Sequence, residues 1–188
     1  MNLTTSYIYI SEKDIIQIKP YHMNSDILNN MLKILKNKVE KKCNENGYIE
    51  TVYKIINYSD GEMPPENLNG AANYEIIYDC KIYKPVENSI LIGLVRIINP
   101  DLIIAINGPL LIFILKNNVD TTIWNLLDNY ANRNTKKKLA IGDHVKIHII
   151  DKRINKNDVQ IKVLGKMLDY ATVEEVETYF LNKEDNFI

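Results

Sequence analysis

The feature that most constrains this chain is the stretch at residues 78–115, YDCKIYKPVENSILIGLVRIINPDLIIAINGPLLIFIL. It is an almost unbroken series of β-branched and aliphatic residues, interrupted only at Lys84-Pro85, Asn99-Pro100 and Asn107-Gly108-Pro109. Proline cannot donate to a strand ladder, and Asn-Gly marks a tight hairpin, so these interruptions read as the ends of successive strands. Such short strands with tight turns close most simply as a small antiparallel barrel, which removes vulnerable edges. A five-stranded OB-type barrel is the economical form. Gly93, inside the first barrel strand, is expected to mark a bulge or a barrel corner.

Upstream, residues 6–19 read as extended, with Tyr7 and Tyr9, then Ile16 and Ile18, alternating with polar positions around a Ser11-Glu12-Lys13-Asp14 turn. A helix is expected after Asn24 or Ser25 as cap. Ile27, Leu28, Met31, Leu32, Leu35 and Val39 fall at three-to-four spacing, with Lys41, Lys42 and Gly47 at the C-terminal end. Residues 48–58 read as a strand of imperfect alternation, and residues 59–70, SDGEMPPENLNG, as a long loop. Tyr74, Ile76, Tyr78, Cys80 and Ile82 alternate with polar neighbours, predicting a strand with one buried face that ends at Lys84-Pro85. The expected fold is therefore an α+β N-terminal unit, an antiparallel sheet with one helix, followed by an all-β OB barrel. The expected boundaries are 1–83 for the first unit, 84–171 for the barrel and 172–188 for an acidic helical extension opened by a Thr172–Glu175 capping box.

Within the barrel, a short helix is expected around Trp124, Leu127 and Tyr130, followed by a polar connection, ANRNTKKK. Its lysine run reads as a solvated loop rather than a phosphate clamp. The remaining strands, at 144–150 and 159–164, are joined by the charged loop DKRINKND. Alternation points Val145, Ile147, Ile149, Val159, Ile161 and Val163 inward. It leaves His144, Lys146, His148, Gln160 and Lys162 outside.

Several chemistries are disfavoured. A formal net charge of -1 over 188 residues provides no global basic field, so nucleic-acid binding must come from a local patch. His144 and His148 are spaced as metal ligands would be on a helix, but on a strand they stand about 13 Å apart. Two cysteines, Cys43 at the helix end and Cys80 on a strand, make neither a disulfide framework nor a metal motif, and both read as small core residues in a reducing compartment. The sequence contains no phosphate loop or nucleophile elbow, no secretory leader and no membrane span, so an independent enzyme and a membrane protein are not expected, and no cofactor is called for. The excess of Asn, Ile, Lys and Tyr is what AT-rich codons produce, as in the genomes of large DNA viruses or certain protists. An RNA-facing surface of Lys146, His148, Arg153 and Lys162, with Arg96, is the remaining chemical signal.

The order of parts resembles the larger stalk subunit of multisubunit RNA polymerases, the family containing the seventh subunit of eukaryotic RNA polymerase II and its archaeal counterpart. The likeness is carried by IQIKP at 16–20, NGYIETV at 46–52, GAANYEIIYDCKIYKPVENSILIGLV at 70–95, NGPLLIFI, GDHVKIHII and LGKMLDYA. It covers residues 14–171; the connection between Leu115 and Gly142 does not match position by position, and the acidic end is an addition. The resemblance implies a noncatalytic subunit of a DNA-directed RNA polymerase whose tip domain docks on the large core subunits. Its OB barrel would lie near nascent single-stranded RNA, held weakly, and a small helical stalk subunit would be its companion. It places the docking loop on Gly61, Glu62, Met63, Pro64 and Pro65. The location implied is a virion or cytoplasmic viral factory for a viral chain, and the nucleus otherwise. The rival readings are a free-standing OB-fold RNA-binding protein and a scaffold whose barrel binds only protein.

Overall fold

The computed structural model describes residues 7–65, 69–126 and 130–184. The first unit is built from β1 (Tyr7–Ile18), α1 (Ile27–Val39), β2 (Lys42–Cys43), β3 (Tyr48–Tyr58) and β4 (Ala72–Tyr83), with sheet order β1-β4-β3-β2 and every pairing antiparallel. β1 pairs with β4 residue for residue from Tyr7↔Tyr83 to Ile18↔Ala72. The expected turn at Ser11–Asp14 is therefore absent. Its polar side chains find partners across the strands: Ser11 Oγ donates to Asp79 Oδ1 at 2.8 Å, and Lys13 Nζ lies 2.5 Å from Glu75. The polar run thus fits an outward-facing ladder, and the strand continues through it.

α1 packs Met31, Leu35 and Val39 on Ile16, Ile18, Ile49, Val52, Ile76 and Ile82, each fully buried aliphatic side chain contributing roughly 1.5–3 kcal/mol. Its N-cap is Asp26; Asn24 acts one step earlier, its Oδ1 accepting the Asp26 N–H at 2.9 Å. Leu28 is exposed, because the buried stripe follows the row Ile27, Met31, Leu35, Val39. The helix stops at Val39. Lys41 takes a positive φ of 61°, and Lys42 and Cys43 already belong to β2, so these residues and Gly47 form the turn into the sheet rather than the helix end. Three register shifts along β3 explain its imperfect alternation.

The second unit contains β5 (Ile90–Ile98), β6 (Leu102–Asn107), β7 (Leu110–Leu115), β8 (Trp124–Asn125), β9 (Ala131–Asn132), β10 (His144–Arg153) and β11 (Ile161–Tyr170). Five strands close a barrel in the order β5-β6-β7-β11-β10, with β7 and β11 the parallel pair. The expected sheet-with-helix followed by an OB-type barrel is what is observed. Gly108 (φ 57°) and Pro109 form a two-residue loop between Asn107 and Leu110, glycine supplying the positive φ that proline cannot. The bulge of β5 falls between Val95 and Ile97, not at Gly93.

Gly93 serves packing instead. A Cβ there would lie 2.5 Å from Ile147 Cδ1, and Gly165 on the other flank of β10 faces the same side chain. The expected helix around Trp124 is replaced by the β8–β9 hairpin; Leu127 lies outside the described residues. Trp124 is fully buried, its Nε1 donating to the Leu168 carbonyl, so the segment is held by an anchor in the barrel rather than by helical spacing. Val159 is 66% exposed because β11 begins only at Ile161.

α2 (Val173–Glu184) opens with a reciprocal cap: the Thr172 N–H donates to Glu175 Oε2 at 2.9 Å, and the Glu175 N–H to Thr172 Oγ1 at 3.2 Å. Tyr179 is buried, and its hydroxyl accepts from Asn107 Nδ2 at 2.8 Å, while that amide also donates to the Ile92 carbonyl. Tyr7, Tyr48 and Tyr83 join the same cluster, so the end of the first sheet rests on the barrel core beside α2. The β10–β11 loop reaches back, with the Cys43 N–H donating to the Asp158 carbonyl and the Asn157 N–H to the Cys43 carbonyl, both at 2.8 Å.

Candidate interaction surfaces

The loop expected to dock leaves β3 but stays pinned to β4. Glu62 and Asn73 exchange backbone hydrogen bonds at 2.9 and 2.8 Å, and the Ser59 N–H donates to the Glu75 carbonyl at 2.9 Å. Gly61 lies over Tyr74, where a Cβ would sit 2.6 Å from Cζ, so only glycine fits without displacing the ring. Met63 follows, 64% exposed, with Pro64 half-buried and Pro65 exposed; residues 66–68 lie outside the described residues. Ile15, Ile56, Tyr58 and Ile77, in the same half of the sheet, are also exposed large apolar residues. Sequence reasoning missed them. Ile15 and Ile77 occupy the polar phase of alternating strands, on the face away from α1, and that violation of period was the available signal.

The expected RNA-facing residues do not form one track. Arg153 and Lys162 are register partners and line, with Phe113 and Leu164, a cavity of about 170 Å³. Phe113 was missed because the strip LLIFIL reads simply as core; pairing places Phe113 outside and Ile112 and Ile114 inside. Lys146 does face outward, but its Nζ is held by Glu175 Oε1 of α2 at 2.9 Å. His148 stands between Ile90 and Lys166 on the outer face of β10. Arg96 is exposed at the opposite end of the barrel from Arg153, since β5 runs antiparallel to β10 and Val95 meets Asp143 there.

Burial pushes the Cys43 thiol up to about 11 and that of Cys80 to about 12, which makes both poor nucleophiles. A crevice of about 350 Å³ at the end of α1, lined by Glu12, Asp14, Lys42, Tyr78 and Lys156, carries both signs of charge. Of its acids, Glu12 is engaged by Asn46 and Asp14 by Lys38. Among the described residues, no cluster of three or more His, Cys, Asp or Glu side chains is placed to hold a metal, and no helix is long and apolar enough to cross a membrane.

A one-helix sheet with an exposed apolar end, joined to an OB-type barrel, defines a two-module interaction protein. The comparisons make this specific. Residues 13–72 match the SHS2 domain found in the N terminus of Rpb7p/Rpc25p/MJ0397. The chain is 34% identical over 174 residues to a protein of Acanthamoeba polyphaga mimivirus assigned as a DNA-directed RNA polymerase subunit, covering 92% of this chain and 87% of that one. It is 24% identical over 168 residues to the DNA-directed RNA polymerase II subunit RPB7 of Glycine max, covering 84% and 94%. The chain belongs to the Rpb7-type family of RNA polymerase subunits, noncatalytic accessory components of the transcription machinery.

Proposed function

We propose that this chain is the larger stalk subunit of a DNA-directed RNA polymerase. It docks on the large core subunits through residues 61–65, assists initiation, and carries its barrel outward beside the nascent transcript. The observation that carries this reading is Met63, exposed in a proline-stiffened loop pinned to β4, with Ile15, Ile56, Tyr58 and Ile77 exposed nearby. A loop already held in shape loses less conformational entropy on docking, and exposed apolar side chains supply the area to bury. A small helical stalk subunit is the expected companion. RNA contact on this reading is local and electrostatic, centred on Arg153 and Lys162, because the other expected cations are dispersed or engaged. The site of action for a viral chain is the cytoplasmic factory or the virion.

The test is affinity purification of the tagged full-length chain from its native source. The large polymerase subunits are expected to accompany it, and a Met63→Asp variant with an unchanged circular dichroism melt is expected to lose at least tenfold of that recovery. Equal recovery with the variant would refute the docking loop, and a chain that purifies alone would refute the stalk role.

A further inference from the structure

The sheet of the first unit and the barrel are linked along the chain by residues 84–89, between the end of β4 and the start of β5. Units on so short a link still move against one another by default, unless an interface holds them. One contact across this joint is the backbone exchange between Cys43 and the β10–β11 loop. A second is made by α2.

Glu175, Val176, Tyr179 and Phe180 share one face of α2, a helical turn apart. Glu175 Oε1 holds Lys146 Nζ at 2.9 Å, and the Phe180 ring stands edge-on to His144, 6.2 Å between centroids; both partners lie on β10. Val176 packs on the barrel core. Tyr179 goes deeper and is only 3% exposed. Its hydroxyl accepts from Asn107 Nδ2 at the end of β6, and the same amide donates to the Ile92 carbonyl of β5. On its other side it meets the hydroxyl of Tyr83, the last residue of β4.

Tyr83 is in turn built into the end of the first sheet. Its ring lies edge-on to that of Tyr7 at 4.7 Å, Lys81 Nζ sits over the Tyr7 ring at 4.3 Å, and the Tyr7 hydroxyl donates to Glu50 Oε1 at 3.3 Å. These residues come from β1, β3 and β4. One side chain of α2 therefore stands where three strands of the sheet converge on two strands of the barrel.

We propose that α2 is a clamp that fixes the angle between the sheet and the barrel, with Tyr179 as its positioning residue. Glu175 and Phe180 anchor the helix on β10, and Tyr179 carries that anchor across the joint. Apolar contact alone would let the two units slide, whereas a buried hydroxyl held by an amide that is itself fixed on a carbonyl has a defined place. If α2 only covered the barrel, shortening Tyr179 would disturb the barrel and leave the spacing of the units as it was. The clamp goes beyond the stalk reading and belongs to the chain by itself.

The test is a pair of spin labels on the full-length chain, read by double electron–electron resonance. Cys43 and Cys80 are buried and stay unlabelled. One pair, Lys33→Cys with Asn99→Cys, spans the joint; the other, Asn99→Cys with Gln160→Cys, stays within the barrel, and all three positions are exposed. Both distance distributions should be narrow in the parent chain. Tyr179→Ala should at least double the width across the joint and leave the barrel pair unchanged. Tyr179→Phe, which keeps the ring and loses only the hydroxyl, should broaden the joint pair less. Where Tyr179→Ala costs the barrel strands their hydrogen-exchange protection, Tyr179→Phe decides instead. A joint distribution that stays narrow in the deciding variant, one already broad in the parent, or equal broadening of both pairs overturns the proposal.

Discussion

Ile147 is the side chain around which the barrel closes, because Gly93 and Gly165 on the two flanking strands leave it room. Replacing Gly93 with alanine puts a methyl 2.5 Å from Ile147 Cδ1 and 3.1 Å from Ala105 Cβ, an overpacking that should cost about 1–3 kcal/mol. Ile147→Val removes the clashing atom and alone should cost about 0.5–1.5 kcal/mol. The double variant should therefore be less destabilised than the sum of the singles in urea unfolding, and strict additivity would refute the contact. Residue-scale burial also sets a pH dependence. Thiol pKa values of about 11 and about 12 for Cys43 and Cys80 lie above the unfolded value of 9.0. The unfolded chain thus releases protons first as pH rises, so this contribution is fully present below pH 9 and is lost as pH climbs through 11–12. A thiol reagent at pH 8 should leave the native chain unmodified and label both cysteines in urea.

At the scale of elements, α2 is held by three unlike contacts: its cap, the Lys146 ion pair and buried Tyr179. Thr172→Ala should weaken the helix by about 1 kcal/mol, seen as lower hydrogen-exchange protection in α2 with the barrel strands unchanged. Uniform loss across the barrel would mean that the helix is integral to closure instead. The Thr172 N–H, then the Lys146 ammonium, hold the Glu175 carboxyl below its ordinary value of 4.5. A depressed folded pKa contributes stability above the unfolded pKa and loses it as pH falls through the folded one, so α2 should loosen in acid, as pH falls through that lowered value, before the barrel does.

For the whole molecule, the decisive feature is the joint. β2, the short edge of the first sheet, exchanges backbone hydrogen bonds with the β10–β11 loop, and Asn157 reaches Cys43 from a positive φ of 69°. Proline at 157 can neither adopt that φ nor donate the bond. Asn157→Pro is therefore expected to raise amide exchange at Cys43 while the barrel midpoint stays within a few degrees; unchanged exchange would mean that the joint is held elsewhere. Charge is equally a matter of the whole molecule. With Arg96 at one end and Arg153 with Lys162 at the other, the salt slope of the proposed RNA contact should reflect only one or two phosphates, at about -0.7 each. It should fall with Lys162→Glu and not with Arg96→Glu.

The amino-acid sequence by itself determined the element types wherever the signal was local. Alternation in β4 and β10, the Asn107-Gly108-Pro109 turn, the α1 stripe and the Thr172–Glu175 box each depend on neighbours a few residues away. The loop after β3 and the barrel were legible for the same reason, and a collinear family likeness joined them. Only the tertiary structure decided what depends on distant partners. Ser11 and Lys13 stay in a strand because Asp79 and Glu75 wait across it, and Trp124 forms a hairpin because its indole is anchored at Leu168. Lys146 is engaged because α2 returns over it, and Arg153 meets Lys162 but not Arg96 because closure sends β5 and β10 in opposite directions. Period and turn chemistry are written in short windows of sequence, whereas register and closure arise between residues far apart in the chain.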